Sequence, residues 1–115
     1  MSKGSVGVLT RDEEVKKMII RIVKMTFRPE ETGTFEQVFN ESKHLIRGFE
    51  GCQYLELLKE KANGNIYFTY SRWDKEESLE NYRNSGLFAT TWARTKVLFA
   101  AKPEAWTVDV AEQLK

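Results

Sequence analysis

An α+β fold with a four-stranded antiparallel sheet is predicted by three features of the sequence. A first strand, Met18 to Phe27, is apolar on both alternating sets of positions. A second and third strand are joined by a turn containing Asn63-Gly64. Helical periods of three and four fall between the first and second strands and again after the third.

In the first strand the odd positions are Ile19, Arg21, Val23, Met25 and Phe27, and the even positions are Ile20, Ile22, Lys24 and Thr26. Mostly apolar residues on both sides imply a strand covered on both faces. Arg28-Pro29 ends it, because proline cannot continue a central ladder. Thr34-Phe35-Glu36-Gln37 has capping-box spacing and is expected to open the first helix. Phe35, Val38, Phe39, Ser42, Ile46 and Phe49 form its core-facing stripe. Gly48 is the expected C-cap, and Gly51 lies in the turn that follows.

The second strand is expected over Cys52 to Lys59 and the third over Ile66 to Trp73, with positive φ at Asn63-Gly64. Asp74 with Glu77 forms a second capping box, for a short helix from Lys75 to about Arg83. Asn84-Ser85-Gly86 breaks it, and a longer helix is expected from Leu87 to Ala101. Pro103 stops that helix, and Trp106 to Val110 alternates as a last strand. The resulting order, β-α-β-β-α-β, is the ferredoxin-like plan. Its helices cover only one sheet face. The apolar second face is expected to be covered by another copy of the chain, sheet on sheet, as a two-fold dimer.

At 115 residues and 41% hydrophobic the chain suits one domain with its own core. Residues 1–17 are polar and are read as an N-terminal extension, 18–110 as the domain and 111–115 as a tail. A net charge of +1 lacks the basic excess of a nucleic-acid surface. No apolar run has the length of a membrane span, and no secretory h-region is visible, so no membrane partner is expected. The single cysteine, Cys52, excludes an intrachain disulfide and fits a reducing cytoplasm. One cysteine and one histidine argue against a zinc site, so no metal is expected.

Several segments in order resemble the antibiotic biosynthesis monooxygenase (ABM) domain family of dimeric α+β barrel proteins. They are Met18-Ile19-Ile20-Arg21-Ile22, the Gly48-Phe49-Glu50-Gly51 turn, the block from Tyr70 to Leu79, and Tyr82-Arg83-Asn84-Ser85-Gly86-Leu87-Phe88. The resemblance covers about Met18 to Val110 and implies a homodimer with a pocket in each subunit between sheet and helices. It also implies cofactor-free monooxygenation of polycyclic aromatics or quinols, or haem degradation. The haem degraders use an Asn, a Trp and a His at places that hold Lys24, Tyr82 and Trp92 here. Trp92 cannot ligate iron, since indole offers only an N–H donor, so haem degradation is disfavoured. Many members carry a Glu two residues before the strand-three Trp, where this chain has Ser71.

The resemblance and the residues together point to a cofactor-independent monooxygenase acting on an electron-rich aromatic or quinol-like small molecule. Lys24, Tyr82 and Trp92 are the candidate catalytic residues, as a cation for a developing anion and two donors. Ile22, Tyr70, Arg72, Phe88 and Lys96 complete the candidate substrate pocket. Several have a plainer reading beside the functional one. Lys24 at a strand end can hold its ammonium in water, Tyr82, Phe88 and Trp92 can be ordinary core, and Arg72 can pair with a carboxylate. His44, the sole histidine, falls off the apolar stripe and reads as a solvated helix residue. The alternative function is a non-catalytic dimeric barrel that binds or regulates through a small apolar ligand.

Overall fold

A computed structural model describes residues 10, 11, 13 and 17–115. Strand β1 is Ile19–Thr26, helix α1 Thr32–Arg47, β2 Cys52–Lys59, β3 Ile66–Trp73, α2 Glu76–Arg83, α3 Gly86–Lys96 and β4 Glu104–Asp109. The sheet order is β2-β3-β1-β4, antiparallel throughout. The α+β, ferredoxin-like arrangement expected from the sequence is therefore present. The expected 1–17 extension falls mostly outside the described residues. Residues 110–115 carry no regular structure.

The register decides which side chains meet the helices. Phe27, Met25 and Ile19 are buried, at 0%, 3% and 8% exposure, so the odd positions of β1 face inward. Residues opposite each other in a ladder share a face. Thr69, Ser71 and Trp73 of β3 lie across from Val23, Arg21 and Ile19, and Leu55 and Leu57 of β2 lie across from Ser71 and Thr69. The even positions form the open face: Ile20, Ile22 and Lys24 with Phe68, Tyr70 and Arg72 of β3, Trp106 and Val108 of β4, and Tyr54 and Leu58 of β2. No element of the described chain covers this face.

The inner face packs as two separate clusters. At one end Phe27 stacks on Phe35 at 4.2 Å and 24°, with Met25, Tyr67 and Leu98 around them. At the other end Ile19, Cys52, Trp73 and Leu79 pack together, with Phe49 and Tyr82 against them. Phe39 lies half-buried beside the first cluster rather than within it. Between the clusters the sheet offers Val23, Thr69 and Ser71, side chains too short to fill the space beneath the helices.

Local chemistry moves several element ends. Helix α1 starts at Thr32, after a 3-10 turn at Pro29–Glu31, so Thr34 lies inside the first turn and caps nothing. Proline at N1 pre-sets the turn and draws the start forward. Among the described residues the only positive φ is at Gly51, so the 60–65 connection is not the tight Asn-Gly hairpin. Instead the Glu60 carboxylate accepts from the Asn63 backbone N–H at 2.7 Å and from its side-chain amide at 2.9 Å, which holds a longer loop. Gly51 has φ +91°, and a Cβ there would lie 2.3 Å from Cβ of Ser78. Only glycine suits that turn.

Asp74 does not cap α2. Its backbone N–H donates to Gly51 O at 2.9 Å, and the N-cap is Lys75, without a side-chain bond. Helix α3 does have a side-chain cap, Ser85 Oγ accepting from Phe88 N–H at 3.1 Å. It ends at Lys96, short of the expected Ala101. The backbone beyond it is drawn to the end of β1, where Arg28 N–H donates to Leu98 O at 3.0 Å and Ala100 N–H donates to Thr26 O at 2.8 Å. The Arg28 guanidinium adds a bond to Val97 O at 2.9 Å.

Candidate functional site

The gap between the two core clusters is a cavity of about 310 Å³. Its floor is the inner sheet face, with Arg21, Val23, Thr69, Ser71 and Trp73. Its walls are Phe39 and Ile46 of α1, Tyr82 and Arg83 of α2, and Phe88, Thr91, Trp92 and Thr95 of α3, with Pro103 and Ala105 at the β4 edge. The volume is at the low end for small-molecule sites, and the lining is mostly apolar with few polar groups, as such sites are.

Aromatic rings line one side in sequence. Trp73 stacks on Tyr82 at 5.2 Å and 26°, Tyr82 meets Phe88 edge-on at 5.3 Å, and Phe88 stacks on Trp92 at 5.9 Å and 8°. These contacts hold the rings in place by packing and quadrupole geometry.

The polar groups divide into those already partnered and those left over. Ser71 Oγ accepts the Trp73 indole N–H at 3.0 Å, and Thr95 Oγ1 donates to Thr91 O at 2.8 Å. Among the described residues neither the Tyr82 hydroxyl nor the Trp92 indole N–H has a hydrogen-bond partner. Arg21 Nη1 donates to Thr107 Oγ1 at 2.8 Å, which sets the guanidinium on the inner face beside β4. Arg83 Nη1 contacts a carboxylate oxygen of Glu80 at 3.3 Å.

Burial pushes the Arg21 pKa down, the Arg83 charge adds to this, and Glu80 opposes it. Burial, with a smaller contribution from Cys52, pushes Tyr82 up to about 12, so its hydroxyl is a neutral donor at any ordinary pH. Tyr67 is also raised to about 12, by burial and then by its hydrogen bond to Glu36. Both folded values lie above the ordinary tyrosine value near 10. The unfolded chain therefore releases these protons first. Their contribution to stability is full below about pH 10 and lost as pH rises through 12. An alkaline titration followed by circular dichroism and phenolate absorbance should show stability falling in that window, less steeply in Tyr82→Phe. Ionisation of all tyrosines near pH 10 in the folded protein would contradict this.

Of the sequence-derived candidates, the structure brings Tyr82, Phe88 and Trp92 together at the cavity. It does not bring the rest there. Lys24 is on the open face, 3.7 Å from Glu104 in a partly exposed ion pair. Ile22, Tyr70 and Arg72 share that face, and the Arg72 guanidinium sits over the Tyr54 ring at 4.7 Å. The physical reason is parity, since the buried Met25 and Phe27 turn every even residue of β1 away from the helices. Lys96, at the end of α3, is exposed and outside the lining. Sequence reasoning missed Arg21, Arg83, Thr69 and Thr91. The available signal for Arg21 was a lone charge on the otherwise most apolar set of β1. His44 is exposed, Cys52 is buried with its thiol pKa raised by burial, and neither lines the cavity. Among the described residues no three His, Cys, Asp or Glu side chains are placed to hold a metal ion.

A ferredoxin-like sheet with helices on one face encloses an aromatic-walled cavity. The model of the antibiotic biosynthesis monooxygenase family matches residues 18–94, and the chain belongs to that family. No curated protein matches it. Solved structures do. A conserved protein from Methanosarcina mazei Go1 is 19% identical with a TM-score of 0.80, over 84% of this chain and 95% of that one. Rv0793 from Mycobacterium tuberculosis is 14% identical with a TM-score of 0.78, over 85% and 99%. SnoaB from Streptomyces nogalater, a cofactor-independent oxygenase, is 16% identical with a TM-score of 0.76, over 85% and 97%. At these identities the structural likeness speaks for the fold alone. Among the described residues no helix is long and apolar enough to cross a membrane.

Proposed function

We propose that this protein is a cofactor-independent monooxygenase acting on a flat, electron-rich aromatic of quinol or anthrone type. The observation that carries the reading is the half-buried Arg21 guanidinium in a cavity walled by Trp73, Tyr82, Phe88 and Trp92. Such a substrate supplies its own electrons. In an anthrone, loss of a ring-methylene proton leaves an enolate, which gives an electron to oxygen. The radicals combine to a peroxide, and loss of water leaves a carbonyl. The peroxide takes a proton back from water before water is lost, so one oxygen atom enters the product and the other leaves as water. The methylene carbon gives up four electrons in all, two as the peroxide forms and two as its O–O bond breaks.

In this reading Arg21, not Lys24, favours the enolate by charge. The Tyr82 hydroxyl and Trp92 N–H donate to substrate oxygens, and the Phe88–Trp92 stack orients the ring plane. No carboxylate or imidazole lines the cavity, so the first proton goes to water, helped by the cation. Haem degradation is again disfavoured, because the lining has no imidazole or thiol and Tyr82 is held neutral. Oxygen uptake with hydroquinones and anthrones, in the presence of chelator, tests the reading. Uptake above autoxidation supports it. Tight binding without uptake supports the second reading, a ligand-binding barrel, which the lack of a lining base favours.

The functional unit in this proposal is residues 18–110, and it is a homodimer. Ile20, Ile22, Leu58, Trp106 and Val108 present an apolar patch on the open sheet face, with Trp106 44% exposed. A patch of this kind on a sheet face is a binding surface, and a two-fold copy is the simplest cover. Sedimentation at micromolar concentration should give twice the 13.4 kDa chain mass, and Trp106→Glu should shift it towards monomer. A clean wild-type monomer would refute the dimer. The free, buried Cys52 fits a cytoplasmic setting.

A further inference from the structure

The cavity lining carries two guanidinium groups, Arg21 and Arg83, and no carboxylate. Glu80 contacts Arg83 at 3.3 Å from an exposed helix surface, so one negative charge stands beside two positive ones. Among the described residues Arg21 makes no ion pair, and its one hydrogen bond is to the neutral Thr107 hydroxyl. A partly desolvated, unpaired cation is costly, and an anion arriving with the ligand would remove that cost.

We infer that the ligand of this cavity is an aromatic acid, a flat ring system bearing a permanent carboxylate that Arg21 and Arg83 bind together. Only the flat aromatic body of this ligand rests on the function proposed above. A developing oxyanion is one charge, and it forms after binding. Two lining guanidiniums suit an anion present from the start, with a transient one forming beside it. A neutral quinol would leave the pair uncompensated. Arginine is the residue type whose planar fork matches a carboxylate with two parallel hydrogen bonds. Arg21 stands on the floor and Arg83 at the exposed end of α2, so the acid lies towards the mouth and the rings lie along the Tyr82–Phe88–Trp92 wall. The depression of the Arg21 pKa by burial and by Arg83 agrees with an unsatisfied cationic site.

The test is equilibrium binding of anthraquinone-2-carboxylate against anthraquinone-2-carboxamide, by calorimetry and quenching of tryptophan fluorescence. The two share rings and size, and both are already oxidised, so no turnover intrudes. The acid should bind at least about tenfold more tightly at low ionic strength, with the preference shrinking as salt rises. Arg21→Gln and Arg83→Gln should each cut the preference several-fold, and the double variant should abolish it. Arg83 is exposed, so its variant reads the effect even where Arg21→Gln perturbs folding. Equal affinity for acid and amide, no binding of either, or a preference surviving in both variants would overturn the inference. Oxygen uptake is a separate readout. Selective acid binding without uptake sinks the oxygenase reading and leaves this one standing. Turnover of neutral quinols with no acid preference does the reverse.

Discussion

Arg21→Gln is expected to lower kcat for a quinol or anthrone substrate by about 10²–10³, the usual effect of removing one preorganised oxyanion-stabilising group. Oxygen uptake under chelator is the measurement. The size of the effect follows from the setting. Arg21 stands in an aromatic-walled cavity where a charge is less screened than in water, and Thr107 already holds its guanidinium, so little reorganisation is needed. Lys24→Gln should change the rate by less than about twofold, because Lys24 lies on the opposite face and pairs with Glu104. Should Lys24→Gln abolish uptake while Arg21→Gln spares it, the chemistry lies on the open face and the cavity reading is wrong. Tyr82→Phe should act as a smaller loss that is level across pH 6–9, since a hydroxyl raised to about 12 does not titrate there.

Phe27→Ala should cost about 3–5 kcal/mol of folding stability, as large core truncations do. Phe27 is fully buried and touches three rings, stacked on Phe35 at 4.2 Å, edge-on to Tyr67 at 5.7 Å and tilted against Phe99 at 5.3 Å. Its backbone bridges to Phe99, so the cluster also ties the end of β1 to the segment after α3. Urea unfolding checks this, with a lower midpoint at unchanged slope. Domains of this size have about 6–17 kcal/mol in total, so the variant keeps its fold only with a reduced margin. Phe39→Ala should cost less, because Phe39 is half-buried at a cavity wall and its removal enlarges a space already present. A larger loss at Phe39 than at Phe27 would show that the cavity is filled by packing rather than open.

The two effects share an origin. The inner sheet face is filled at both ends by large side chains and left short in the middle by Val23, Thr69 and Ser71. Stability comes from the ends. The middle is left open as the cavity, and Trp73, packed in one cluster and stacked on Tyr82, joins the two regions.

Much of this was legible in the sequence. The strand at Ile66–Trp73 is rich in β-branched and aromatic residues, and both it and Cys52–Lys59 lie between clear breakers at Gly51, Asn63-Gly64 and Asp74, so both could be placed to the residue. The α1 stripe holds at Phe35, Val38, Ser42 and Ile46, all buried. Helix starts were less legible, because Asp74 and Thr34 have capping residue types but other demands on the backbone: Asp74 N–H is taken by Gly51 O, and Pro29 starts its turn early. The end of α3 depended on backbone bonds to the end of β1, Arg28 N–H to Leu98 O and Ala100 N–H to Thr26 O, which no local pattern records.

The chain's order of elements, its periods and the gathering of Tyr82, Phe88 and Trp92 on neighbouring helical faces were determined by the sequence alone. Those are local properties, set by spacing and by side-chain type. Which charge enters the cavity was decided only by the tertiary structure. Both alternating sets of β1 are mostly apolar and carry one cation each, Arg21 in one and Lys24 in the other, and the single extra polar residue of the even set, Thr26, is too small a difference to choose between them. The choice is made by where Phe35 and Tyr67 meet Phe27. Because successive strand residues point to opposite faces, burying Phe27 carries Arg21 inward with it and turns Lys24 out.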